Sequence, residues 1–278
     1  MATVLDLRDG HDPLVELTEA LVTSVDRPDA DRPWGLYFLR HDSDFAPLAR
    51  FAEREVFREF FANDDEVMDR EYDPYEPSSI FVLAVDHQRR EPAGALRIIL
   101  PSAAGLKTLA DLRSHPAWGV DVDAIAAHHR GFRLDACWDI ATVAVRRGWH
   151  RERGTATSAA LYHGLWTCAL IGRAEWGLAA LDERVADLFR AIEMPLRPVC
   201  ELPAVEYLGS PATRPYLLDA AEVAATMRTS ALLGPVLGGD VLGDEWSRPP
   251  IDLRDEVTDP TALEPQFAAE PLDLPLRG

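Results

Sequence analysis

Short apolar runs alternate along the chain with segments whose apolar positions recur at helical spacing. Residues 34–39 form an apolar run that predicts a strand. Residues 44–61 carry Phe45, Leu48, Ala49, Ala52, Val56 and Phe60 on one helical face, with Ser43 or Asp44 placed to cap it. Two strand signals follow at 79–85 and 93–100, the second closed by Pro101. The polar turn between them makes the pair a hairpin. A short helix is expected within 105–118 and one more turn at 124–129. The pattern then predicts a strand at 137–145, a helix at 155–171, a strand at 174–181 and a helix at 183–192 capped by Asp182. The helix at 155–171 has almost no polar face, so burial is expected. Strand–helix–strand order implies a parallel pair. The fold class expected is α/β.

The two ends read differently. Residues 1–33 form an acidic extension with one amphipathic stretch at 14–22, broken afterwards by Pro28 and Pro33. From 232 to 278 Pro, Gly, Asp and Glu dominate and periodicity is lost, which predicts an irregular tail. The central domain is then 34–231. The chain has 278 residues, 47% of them hydrophobic, enough for a sizeable core.

Charge and cysteine content narrow the class. The formal net charge of −19 argues against a nucleic-acid binder and against an anionic membrane surface. A few local basic groups could still hold an anionic cofactor. No apolar run approaches the ~20 residues that span a bilayer. No basic segment followed by an apolar run marks a secretion signal, and a cytoplasmic protein is expected. Cys137, Cys168 and Cys200 are widely spaced and read as buried thiols. His128 and His129 are adjacent without metal-site spacing, so no metal is expected.

The stretch with most chemistry lies between the strand at 137–145 and the helix after it. The strand ends through Val143 and Val145. A loop rich in Arg146, Arg147, Arg151 and Arg153 then leads into Gly154, Thr155, Ala156 and Thr157. The first N–H groups of a helix lack partners within it and sit at the positive end of its dipole. Small residues there let a phosphate approach the backbone. A pyrophosphate is the natural guest.

Arg151, Gly154 and Ala156 resemble the Arg/Gln-x-x-Gly-x-Gly/Ala motif of the GNAT acyltransferases, which in that family binds the pyrophosphate of acyl-coenzyme A. This chain has no proline on the approach to the motif. Upstream, Glu71, Asp73, Tyr75 and Glu76 resemble the acidic element of the autoinducer synthases and N-acyl amino acid synthases, a branch with the GNAT fold. Arg97 resembles the arginine that ends their second hairpin strand. Asp139 stands in the place of their fourth-strand glutamate and Thr142 in that of their arginine. Phe60 and Phe61 lie near the place of their tryptophan.

The resemblance implies a twisted mixed sheet with helices on both faces, splayed at its fourth and fifth strands. It also implies direct N-acylation of a small, amino acid-like amine. The donor would be a thioester of coenzyme A or of acyl carrier protein, the latter also a partner. Asp139, Glu71 and Asp73 are the candidate bases, and Tyr207 the acid near the thiolate. Arg97, Tyr75 and Thr142 are expected on the acceptor side, with Arg97 equally suited to pair with Glu71 or Asp73. Two other functions compete: an acyl-homoserine lactone synthase using S-adenosylmethionine, and a catalytically silent domain that binds a ligand or partner.

Overall fold

The computed structural model describes residues 12–25, 30–150 and 154–247. Strands β1 (Trp34–Arg40), β2 (Ser79–Asp86) and β3 (Glu91–Ile99) form an antiparallel meander, and β4 (Cys137–Val145) pairs antiparallel with β3. Strand β5 (Trp176–Asp182) runs parallel to β4. Strand β8 (Ser210–Asp219) returns antiparallel to β5 and also carries β6 (Arg197–Pro198) and β7 (Val205–Tyr207). At the far edge β9 (Trp246–Ser247) lies parallel to β1.

Every residue of β2 is buried. Its alternate side chains enter different cores: Ile80, Val82 and Ala84 one face, Phe81, Leu83 and Val85 the other. A strand covered on both faces therefore reads as a continuous apolar run. Helices α1 (Pro13–Ser24) and α2 (Ala46–Phe61) cover one of these faces. Helix α3 (Asp65–Tyr72) follows α2 and is capped by Asp64. Beside β4 and β5, α4 (Lys107–Ser114) and α5 (Val122–His128) close a separate apolar cluster. After the short α6 (Arg147–His150), the long α7 (Gly154–Ile171) lies on the opposite face. Gly164 permits that approach, since a Cβ there would fall 2.4 Å from Val82 Cγ1.

Helix α8 (Glu183–Ala191) follows β5, and α9 (Ala220–Met227) follows β8. The segment after 232, expected to be irregular, is structured as far as 247. Helix α10 (Leu233–Gly238) sets Leu233 and Leu237 into the main core, and Trp246 stacks on Trp34 at 5.4 Å. The reason lies in α7, whose lack of a polar face requires cover on its outer side too. Its His163 Nδ1 lies 2.7 Å from the Leu237 carbonyl oxygen. The rest of the expected tail, 248–278, lies outside the described residues. Cys137 and Cys168 are buried as expected, whereas Cys200 is only half-buried. Among the described residues no helix is long and apolar enough to cross a membrane.

Candidate active site

Strands β4 and β5 pair only at 137–139 against 176–178. Beyond that point each continues without the other, and the sheet opens. A cleft of about 670 Å³ occupies the opening, lined by Thr142 and Val143 of β4 and by Ala180, Leu181 and Asp182 of β5. Phe57 and Phe61 of α2, Tyr72, Lys107 and Tyr207 complete the walls. Arg97 faces Thr142 and Ile98 faces Ile140, so Ala141 is an extra residue in β4. A bulge of this kind bends a strand and re-aims its backbone groups. The β4 groups that face β5 here lack a ladder partner and are left for a ligand.

Behind the cleft lies a buried ion network. Arg97, only 2% exposed, donates from Nε to Glu53 Oε1 at 2.9 Å and from Nη2 to Glu53 Oε2 at 2.6 Å. Its Nη1 reaches Glu76 Oε2 at 2.5 Å and Ser79 Oγ at 3.3 Å. Thr142 Oγ1 donates to Glu53 Oε1 at 2.5 Å, and Arg50 Nε to Glu76 Oε1 at 2.7 Å. Burial works against the Arg97 charge, but Glu53 and Glu76 outweigh it and raise its pKa. Burial likewise works to raise Glu76, yet Arg97 and Arg50 hold its carboxyl below the usual range. The network ties α2 and the segment after α3 to the middle of the sheet.

A second cluster sits at the cleft itself. Lys107 Nζ lies 2.8 Å from Asp111 Oδ2, 3.1 Å from Glu71 Oε2 and 2.6 Å from Tyr207 Oη. Tyr207 donates to Asp111 Oδ2 at 2.5 Å, and burial followed by the Asp111 charge raises its pKa. Asp182 accepts from Ser210 Oγ at 2.7 Å and from Arg184 Nε at 2.8 Å, and the Arg184 bond holds its carboxyl low.

Asp139 is fully buried. Its oxygens accept the Thr108 N–H at 2.6 Å and the Thr108 hydroxyl at 2.8 Å. Helix α4 has no cap from its own preceding residue, so Asp139 caps it from the sheet. Burial pushes the carboxyl up to about 6 against the Thr108 bonds and the Lys107 charge. The folded protein thus holds this proton more tightly than the unfolded chain. The resulting stabilisation is full below the ordinary carboxylate range and is lost as pH rises through about 6. The excess stability of the wild type over Asp139→Asn should therefore fall by about 2 kcal/mol between pH 4 and pH 7. Urea denaturation of both proteins across that range checks it, and a pH-independent difference would refute it.

Solved structures of similar architecture include the AHL synthase LasI, 14% identical, with a TM-score of 0.50 over 75% of this chain and 96% of that one. The chain has the GNAT fold. The N-acyl amino acid synthase FeeM, from uncultured soil microbes, is 17% identical, with a TM-score of 0.49 over 73% of this chain and 98% of that one. The CoA-dependent acyl-homoserine lactone synthase BjaI is 17% identical, with a TM-score of 0.44 over 82% of this chain and 100% of that one. No family model matches the sequence, and no curated protein matches it.

Within this GNAT fold the residues singled out from sequence fall in different places. Tyr207, Thr142 and Val143 line the cleft, and Glu71 stands behind it on Lys107. Asp139 stands behind Thr108, out of reach of a substrate. Asp73 is exposed on the outer side, Val145 is buried in the main core, and Tyr75 packs against the α4–α5 cluster. Arg97 pairs with Glu53 and Glu76 rather than with Glu71 or Asp73. Gly154 opens α7, Thr155 is exposed and Ala156 packs against the main core, while Arg151 and Arg153 lie outside the described residues. Arg146 bonds Glu55 and Glu91, and Arg147 bonds Glu59, so neither is an unpaired phosphate ligand. Sequence reasoning missed Glu53, Lys107 and Asp111. Glu53, a charge on the apolar face of α2, was the one visible signal. Among the described residues no group of three His, Cys, Asp or Glu side chains could hold a metal.

Proposed function

We propose that this protein is an N-acyltransferase that moves an acyl group from a pantetheine thioester to a small amine by direct transfer. The observation that carries this reading is the open β4 edge with its bulge, facing a cleft deep enough for an extended arm. The pantetheine amides pair with the unladdered backbone of β4, and a β4 N–H stabilises the oxyanion. A second, apolar pocket lined by Trp138, Tyr162, Leu165, Met194 and Leu218 shares Ile140 with the cleft wall and is the place for an aliphatic acyl chain.

The acceptor nitrogen attacks the thioester carbonyl, the C–N bond forms and the C–S bond breaks. Tyr207 gives its proton to the leaving thiolate and regains one from the acceptor ammonium by way of Asp111. Asp139 acts through Thr108 as a positioning residue for α4.

The donor phosphates sit at the first turn of α7. Thr157 there is fully buried and its Oγ1 has no hydrogen-bond partner among the described residues. Gly94 lets β3 pack closely against this turn, since a Cβ there would fall 2.6 Å from the Ala144 carbonyl oxygen and 3.3 Å from Thr157 Cγ2. Coenzyme A fits this turn better than carrier protein alone, because its diphosphate offers more acceptors to the helix N–H groups and to the Thr157 hydroxyl. Thr157→Val should weaken acyl-coenzyme A binding about tenfold by calorimetry while stabilising the ligand-free protein by about 1 kcal/mol. Unchanged affinity would remove the phosphate site. Failure of any amine to release thiol from the thioester would remove the transferase reading.

A further inference from the structure

Six side-chain hydroxyls line the cleft, and four of them are committed. Thr108 donates to Asp139, Thr142 to Glu53, Ser210 to Asp182 and Tyr207 to Asp111. The other two, on Tyr72 and Thr213, bond no described residue. Thr213 pairs with Asp182, at the end of β5 farthest from its contact with β4. Tyr72 stands where the two strands part. Its ring lies 5.2 Å from Lys107 Nζ and 5.0 Å from the Arg97 guanidinium carbon. The neighbour of Lys107, Thr108, is bonded to Asp139, the last β4 residue paired with β5, and Arg97 pairs across the sheet with Thr142.

Tyr72 ends α3, with Met68 one turn earlier on the same buried face, and only 4% of it is exposed. Two cations against its ring hold it in place. Among the described residues, the side-chain oxygens both enclosed and unpartnered are Thr157 Oγ1, Glu222 Oε2 and Ser247 Oγ. Tyr72 Oη is unpartnered without being enclosed, and its open side is the cleft it lines. Burial, followed by the Glu53 charge, raises its pKa well above the ordinary tyrosine range, so the phenol keeps its proton.

The transfer makes three demands on such a cleft. The leaving sulfur gains a proton, the amine loses one, and the carbonyl oxygen collects negative charge as the C–N bond forms. Tyr207 and Asp111 serve the first two. The oxygen has room for more than one donor, and β4 brings an N–H. A fixed, neutral O–H beside the point of divergence suits the remaining place, because it needs no rearrangement when the charge appears.

We infer that the Tyr72 hydroxyl is the second donor to the thioester carbonyl oxygen, which makes Tyr72 a catalytic residue of the transfer. The inference rests on the transferase reading above and adds a residue to its site. No proton leaves the phenol. The carbonyl electron pair moves onto oxygen as the C–N bond forms and returns as the C–S bond breaks.

Tyr72→Phe tests it, since the ring stays and the hydroxyl it removes has no partner in the fold. Thermal melting should match the wild type. The kcat for thiol release from acyl-coenzyme A should fall about 100-fold, with its Kd by calorimetry within about twofold. Infrared spectra of acyl-coenzyme A labelled with carbon-13 at the carbonyl give a second readout. The bound carbonyl stretch should lie at lower frequency in the wild type than in Tyr72→Phe. An unchanged kcat, or one carbonyl frequency in both proteins, would overturn the inference. If the wild type binds acyl-coenzyme A yet releases no thiol to any amine, the transferase reading fails and the carbonyl frequency alone decides the role of Tyr72. If acyl-coenzyme A does not bind, both fail.

Discussion

Ala180→Trp is expected to abolish acyl transfer, with a loss of at least about 100-fold in kcat/KM and no measurable binding of acyl-coenzyme A. Ala180 lies on β5 beyond the last residue paired with β4, half-buried on the cleft wall. An indole brings roughly 150–250 Å² of surface and would fill the space between the two strands where the pantetheine arm is placed. Because the ring enters an open cleft rather than packed core, the fold should survive. Thermal melting close to that of the wild type would establish this. A folded Ala180→Trp protein that still releases thiol would put the thioester somewhere other than the splay.

The largest effect on stability is expected at Arg97. In Arg97→Met the Glu53 carboxylate, 1% exposed, keeps only the Thr142 hydroxyl and loses both guanidinium bonds. Removing one member of a buried pair typically costs about 3–5 kcal/mol, because the remaining charge is shielded from water without compensation. Glu76 suffers less, since Arg50 still reaches it at 2.5 Å. The double variant Arg97→Met/Glu53→Met removes the stranded charge and should recover most of the loss. Urea denaturation of the two single variants and the double closes the cycle. Additive losses would mean that the pair does not act as a unit.

Strands β1 to β5, helix α2 and helix α7 were readable because their side-chain pattern follows from local geometry. A strand buried on both faces must be apolar along its length, and a helix buried on all sides can have no polar stripe. The short α3 and α10 escaped, since neither holds its apolar face long enough to establish a period. The C-terminal segment looked irregular by composition, yet it is ordered by the outer side of α7, a surface no local reading reveals.

The chain's own order of residues determined the α/β architecture, the parallel β4–β5 unit and the helix that opens at Gly154, since each follows from periodicity and caps within a few residues. Only the tertiary structure decided which charges meet. It moved Asp139 out of the cleft to cap α4, gave Arg97 to Glu53 from 44 residues away, and brought Lys107 to Tyr207 across 100 residues. Electrostatic partners are chosen by proximity in space and by the cost of burying a charge alone, and neither leaves a mark in the spacing of the sequence.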